Sequence, residues 1–235
     1  MKPLAIFRHS PTEGPGYLAT YLARSDIPWR LVALDAGEAV PPRVDPFAGL
    51  VFMGGPMSVN DDLPWIPKTL GLIQEAVARG VPVLGHCLGG QLLSRAVGGV
   101  VSRAPIKEIG WGEVQVADNP VAHGWFGPQR NAFVAFHWHG ETFSLPRDAT
   151  PILSSPWCQY QGFALGPHLG LQCHIEMTEE LVRTWCQAGA REIERDPSPA
   201  VQPVARILEH LESCVAALQA VADTVYARWV AGLKN

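Results

Sequence analysis

The sequence predicts an α/β fold: an open, mostly parallel sheet flanked by helices, with antiparallel hairpins in its second half. Three observations lead there. In the first half, short apolar runs alternate with helical patterns, the order that builds βαβ units. In the second half, brief apolar runs are separated by Pro and Gly turns, which suits hairpins feeding back into the sheet. Between the halves, an apolar run Val81-Pro82-Val83-Leu84 leads into Gly85-His86-Cys87-Leu88-Gly89-Gly90-Gln91, a glycine-rich turn from strand to helix.

Taken in order, residues 3–8 read as the first strand and residues 17–24 as a helix. Strands follow at 29–34 and 50–53, then a helix at 70–79 closed by Gly80. Residues 81–84 form a strand and 91–97 a helix closed by Gly98-Gly99. The later strands are expected at 114–116, 132–138, 163–165 and 170–173. Residues 178–194 read as one helix, with Thr178 as N-cap and Glu179 and Glu180 near its positive end. Asp196-Pro197-Ser198-Pro199 marks a linker, giving a domain over 1–195 and a helical extension over 196–235 packed on the same domain. In the extension Val204, Ile207, Leu208, Leu211, Val215, Leu218 and Val225 recur at helical spacing. That stripe packs on its own domain or, as the alternative, joins two copies in a homodimer.

Composition removes several classes of function. A formal charge of −4 with 17% charged residues leaves no basic stripe for nucleic acid and no polybasic membrane patch. Arg8 and His9 interrupt the amino-terminal apolar run before a signal peptide develops, and no stretch approaches a membrane span. Cys87, Cys158, Cys173, Cys186 and Cys214 are an odd set without short paired spacings, which suits free thiols in a reducing cytoplasm.

Cys87 is the candidate nucleophile. A turn of the form G-x-nucleophile-x-G exposes its side chain at the carboxyl edge of a sheet, and the start of a helix favours thiolate. The bland alternative is a small buried cysteine beside packing glycines. A cysteine nucleophile needs a base, and the base an orienting acid. His174 and Glu176 lie two apart at the end of an apolar strand, so both side chains fall on one face. The order Cys87, His174, Glu176 counts against an α/β-hydrolase, where the acid precedes the histidine, although Asp148 stands between them. Gly54-Gly55-Pro56 ends a strand with unobstructed backbone N–H groups, so Gly55 with Leu88 makes a candidate oxyanion hole.

Together these segments resemble the class I, triad-type glutamine amidotransferases. Gly85-x-Cys87-x-Gly89-x-Gln91 is similar to that family's nucleophile motif, Gly54-Gly55-Pro56 to its oxyanion strand, and His174-x-Glu176 to its base and acid. Glu108-Ile109-Gly110-Trp111 and the run from Trp138 to Pro146 resemble the GMP-synthase-like subgroup. The resemblance implies a flavodoxin-like fold and hydrolysis of glutamine through a cysteinyl thioester, without a cofactor. It also implies glutamine contacts from Gly54, Gln91, His139, Gly140 and Glu141, and a separate synthetase to accept the ammonia. A γ-glutamyl peptidase and a non-catalytic binding module are the alternatives on the same fold. His86, Gly90, Cys173 and Ile175 depart from the family's usual residues without removing a catalytic group. An independent rival is a zinc site, since His137, His139 and Glu141 alternate along one strand. Trp111, Trp125, Trp138 and Trp157 are expected as core and loop anchors, with a pocket wall as the alternative.

Overall fold

The computed structural model describes residues 2–233. Its elements begin with β1 (Leu4–Arg8), α1 (Tyr17–Arg24), β2 (Trp29–Ala33), β3 (Leu50–Phe52), α2 (Trp65–Ala78), β4 (Val83–His86) and α3 (Leu88–Ala96). They continue with β5 (Val101–Val116), α4 (Pro120–Phe126), β6 (Ala132–Phe143), β7 (Thr150–Ser154), β8 (Gly162–Leu165) and β9 (His168–Leu171). Four helices close the chain: α5 (Glu179–Ala188), α6 (Ala190–Arg195), α7 (Val204–Leu208) and α8 (Leu211–Val230).

One nine-stranded sheet runs in the order β2-β1-β3-β4-β9-β8-β7-β5-β6. Strands β2, β1, β3, β4 and β9 are mutually parallel, and the remainder pair antiparallel. The loops leaving β1, β3, β4 and β9 therefore emerge along one carboxyl edge, where open α/β sheets bind ligands. Each face of the sheet carries an apolar core. One joins α1, α4, α5 and α8 to the sheet, and the other joins α2 and α3.

Where the elements differ from the sequence reading, packing accounts for it. Helix α3 starts at Leu88, three residues early, because Gly89 and Gly90 take part in it. A Cβ on Gly89 would lie 2.0 Å from the Phe52 carbonyl oxygen, so glycine lets the helix rest directly on β3. Strand β5 spans sixteen residues instead of three, paired with β6 along its length through an irregularity between Arg103 and Glu108. Its Pro, Gly and charged residues hide the alternation. The expected helix over 178–194 divides at Gly189, where the Trp138 ring lies 2.2 Å from the place of a Cβ. Thr178 does cap α5, its side chain accepting from Leu181 N at 3.2 Å.

The carboxyl-terminal stripe is also two helices, parted at His210, which takes a left-handed conformation with φ 55°. The Ile207 carbonyl accepts from Trp111 Nε1 at 3.0 Å in place of a helical N–H. Ile207, Leu211, Val215, Leu218 and Val225 are buried in the chain's own core, so the stripe is not free for a second copy. The segment after the expected linker is tied to β5: Ile109 N donates to Ala200 O and Gln202 N to Ile109 O. Among the described residues, no helix is long and apolar enough to cross a membrane.

Candidate active site

Cys87 follows β4, and its backbone is held at φ 50° as the N-cap of α3. That positive φ is costly for a residue with a Cβ, and its location at a strand-to-helix turn is the kind of strain that functional sites retain. The Cys87 N–H donates to Leu171 O at 2.8 Å, which ties the turn to β9. His174 follows β9, the strand beside β4, so the sheet order itself brings thiol and imidazole together.

His174 Nδ1 and Glu176 Oε1 are 2.6 Å apart, and both side chains are buried. Burial opposes ionisation of Glu176, but the charges of His86 and His174 and the short hydrogen bond hold its pKa down to about 2. For His174, burial disfavours the imidazolium, yet Glu176 and the Cys87 thiol outweigh it and raise the pKa well above its usual value. With Nδ1 committed to the carboxylate, Nε2 makes no hydrogen bond of ordinary geometry within the fold and is left for the thiol or a reacting group. The Trp185 ring stands edge-on to the imidazole at 4.8 Å between centroids, fixing its plane.

The other predicted residues fall around this pair. The Gly55 N–H has no acceptor among the described residues, and Leu88, as the first residue of α3, has none within the helix. The Leu88 side chain packs against Gly55, where a Cβ would meet it at 2.8 Å. Gln91 is buried and donates from Nε2 to Gln172 Oε1 at 3.2 Å, while Gln172 Nε2 lies 3.5 Å from Cys87 Sγ. Gln91, His139, Gly140 and Glu141 line one cleft with Cys87, His174 and Gly55. Gly54 lies just behind, against Glu13 and His174. The cleft has a volume of about 1040 Å³ and carries both charge signs toward its outer end. There Lys107 is held by Glu192 at 2.8 Å and Asp196 at 2.5 Å, while Arg103 has no ion-pair partner among the described residues.

Three contributors escaped the sequence reading. Glu13, in the loop after β1, lines the cleft with its Oε2 occupying the space a Cβ on Gly54 would need, 2.3 Å away. Gln172 is wholly buried beside the thiol. Trp185 reaches the site from α5. Only Gln172 carried a signal, its place two residues before His174 in the expected strand 170–173. Of the expected tryptophans, Trp138 lines the cleft, Trp125 is core and Trp157 is exposed.

The rival zinc trio along β6, His137, His139 and Glu141, does not come together. Glu141 offers His139 only its backbone carbonyl, at 3.1 Å from Nδ1. Glu108 of β5 instead groups with His137 and His139, all three buried. Burial lowers the His137 pKa to about 4, so its ring is neutral.

The family model "Glutamine amidotransferase class-I" matches residues 17–184. The chain belongs to this family. A crystal structure of a glutamine amido transferase from Methylobacillus flagellatus superposes with a TM-score of 0.97 at 43% identity, covering 100% of this chain and 96% of that one. A glutamine amidotransferase-like protein of Salmonella typhimurium, YfeJ, is 34% identical across 67% of this chain and 69% of its own. Gamma-glutamyl peptidase 3 of Arabidopsis thaliana is 32% identical across 59% of this chain and 58% of its own. A GMP synthase [glutamine-hydrolyzing] of Acinetobacter baylyi is 30% identical across 55% of this chain, which spans only 23% of that enzyme.

Proposed function

We propose that this class I amidotransferase hydrolyses the γ-carboxamide of glutamine through a thioester on Cys87 and passes the ammonia to a separate synthetase. The observation that carries the reading is the buried His174–Glu176 pair beside Cys87, with Nε2 uncommitted. His174 holds the proton given up by the thiol as Cys87 Sγ attacks the amide carbon, and the oxyanion is stabilised by the Gly55 and Leu88 N–H groups. The C–N bond breaks as the imidazolium returns that proton to the departing ammonia. Water, deprotonated by His174, then attacks the thioester and releases glutamate, with the proton returning to the thiolate. Glu176 keeps the imidazole in one tautomer and balances its charge throughout. Gln91, His139, Gly140 and Glu141 supply the walls that hold the amino-acid end. Five free thiols suit a reducing compartment such as the cytoplasm.

A second reading has a specific observation behind it. The cleft of about 1040 Å³ is far larger than free glutamine, and Arg103 at its outer end suits a terminal carboxylate. The same thioester chemistry would then cleave a γ-glutamyl peptide and release an amino compound. Ammonia and glutamate release from glutamine, measured beside cleavage of a γ-glutamyl dipeptide, separates the two. Cys87→Ala is expected to lower either rate at least about 10³-fold. Undiminished turnover by Cys87→Ala would remove both readings.

A further inference from the structure

Between β5 and β6 lies a buried polar cluster that the thioester chemistry does not use. Glu108 stands opposite His139 in the antiparallel register, and His137, two residues along, faces the same side. One ligand atom from each lies within 4.8 Å of the other two. Each ring has one nitrogen committed to a carbonyl: His139 Nδ1 to Glu141 O at 3.1 Å and His137 Nε2 to Gly112 O at 3.3 Å. A carbonyl only accepts, so those nitrogens carry the protons, and in a neutral ring the other nitrogen presents a lone pair.

The remaining atoms make an excess of acceptors. His139 Nε2 lies 3.2 Å from Glu108 Oε2, and His137 Nδ1 is buried without a partner. Gln161 Oε1 is likewise buried and unpartnered, while its amide nitrogen sits 2.7 Å from Glu108 Oε2 and 3.3 Å from His139 Nε2. A proton on His139 would satisfy its contact with Glu108 alone. It would leave the His137 nitrogen and the Gln161 oxygen unpaired in the interior, which is destabilising for buried polar atoms. A divalent cation takes the free lone pairs of both rings and the Glu108 carboxylate, and the Gln161 oxygen joins them once the amide turns about its last torsion, exchanging its hydrogen bonds to Glu108 and Ser155 for a metal bond.

We propose that Glu108, His137 and His139, with the Gln161 amide oxygen, bind a structural zinc ion. Two imidazoles and a carboxylate are a zinc donor set, and imidazole N–H groups held by backbone carbonyls are the usual outer support of such ligands. Four protein ligands close the coordination sphere, so the ion has no open position for substrate. Its effect is to pin β5 to β6, and so to hold the His139–Glu141 wall of the cleft.

The test uses the full chain carrying Cys87→Ala, stripped with chelator, so that the cleft thiol does not bind metal. Titration with Zn²⁺ alone against a chromophoric chelator is expected to show one tight equivalent, and Co²⁺ to give the intense visible bands of four-coordinate cobalt. His137→Gln and Glu108→Gln should each weaken zinc by more than the roughly 10–100-fold that loss of an outer-shell partner costs, whereas Glu141→Gln should not weaken it. A zinc-dependent rise in melting temperature of the Cys87→Ala chain gives a readout should either variant fail to fold. No bound equivalent, or binding that survives both substitutions, would overturn the proposal. So would binding lost instead with Cys158→Ser.

Discussion

Burial pushes the Glu13 carboxyl up to about 7; His174 pulls it down and Glu176 adds to the rise. An unfolded glutamate ionises near 4.5, so between 4.5 and 7 the unfolded chain gives up its proton first. The contribution of Glu13 to stability is therefore fullest below pH 4.5 and is lost, by up to about 3 kcal/mol, as pH rises through 7. The carboxyl lines the cleft and lies against Gly54 beside His174. Glu13→Gln keeps the shape and removes the charge. The variant is expected to overtake the wild type in urea stability between pH 5 and pH 8. Equal pH dependence of the two stabilities would show that the carboxyl is not under this strain.

Elements position these residues through close backbone contact, and α3 is the clearest case. Gly89→Ala places a Cβ 2.0 Å from the Phe52 carbonyl oxygen, and backbone on both sides cannot yield as a side chain would. A loss of about 1–3 kcal/mol is expected, read as a lower urea midpoint at unchanged m. Gly71→Ala, an exposed site in α2 with nothing within 4 Å, should instead gain about 0.5–1 kcal/mol. The same contacts explain which parts were legible beforehand. Helix α1 and strands β1 to β4 announce themselves because an apolar period and a turn residue coincide. The Cys87 turn, the Gly54-Gly55 strand end and His174-x-Glu176 were readable as local patterns, each ending a strand. Strand β5 was not, because its partner β6 lies far along the chain and supplies the hydrogen bonds that its mixed composition does not advertise. Helix α4 was missed despite a usable signal: Asn119 caps it, accepting from Ala122 N at 2.9 Å, and Pro120 opens it. Glu13 and Trp185 reach the site only through tertiary packing.

At the scale of the whole molecule, the question is whether the segment beyond residue 195 is separable from the sheet. Helix α8 lays eight buried residues against the chain, among them Tyr226 and Trp229, which are nearly or wholly inaccessible. Its core is shared with β1, α1 and α4 rather than being a satellite. Tyr226 also reaches the surroundings of the His174–Glu176 pair, its hydroxyl 3.5 Å from His86 Nε2, which stands 3.7 Å from Glu176 Oε2. Large buried side chains contribute about 1.5–3 kcal/mol each, and losing the helix also leaves the apolar faces of α1, α4 and β1 uncovered. A chain ending at Glu209 is therefore expected to show no cooperative thermal transition and no glutamine hydrolysis. Tyr226→Phe separates packing from the hydroxyl: it keeps the apolar bulk and should melt cooperatively, within about 1 kcal/mol of the parent. If the chain ending at Glu209 melts cooperatively near the full-length temperature, α8 is an appendage rather than part of the core. If Tyr226→Phe fails to fold, the buried hydroxyl matters more than the apolar surface around it.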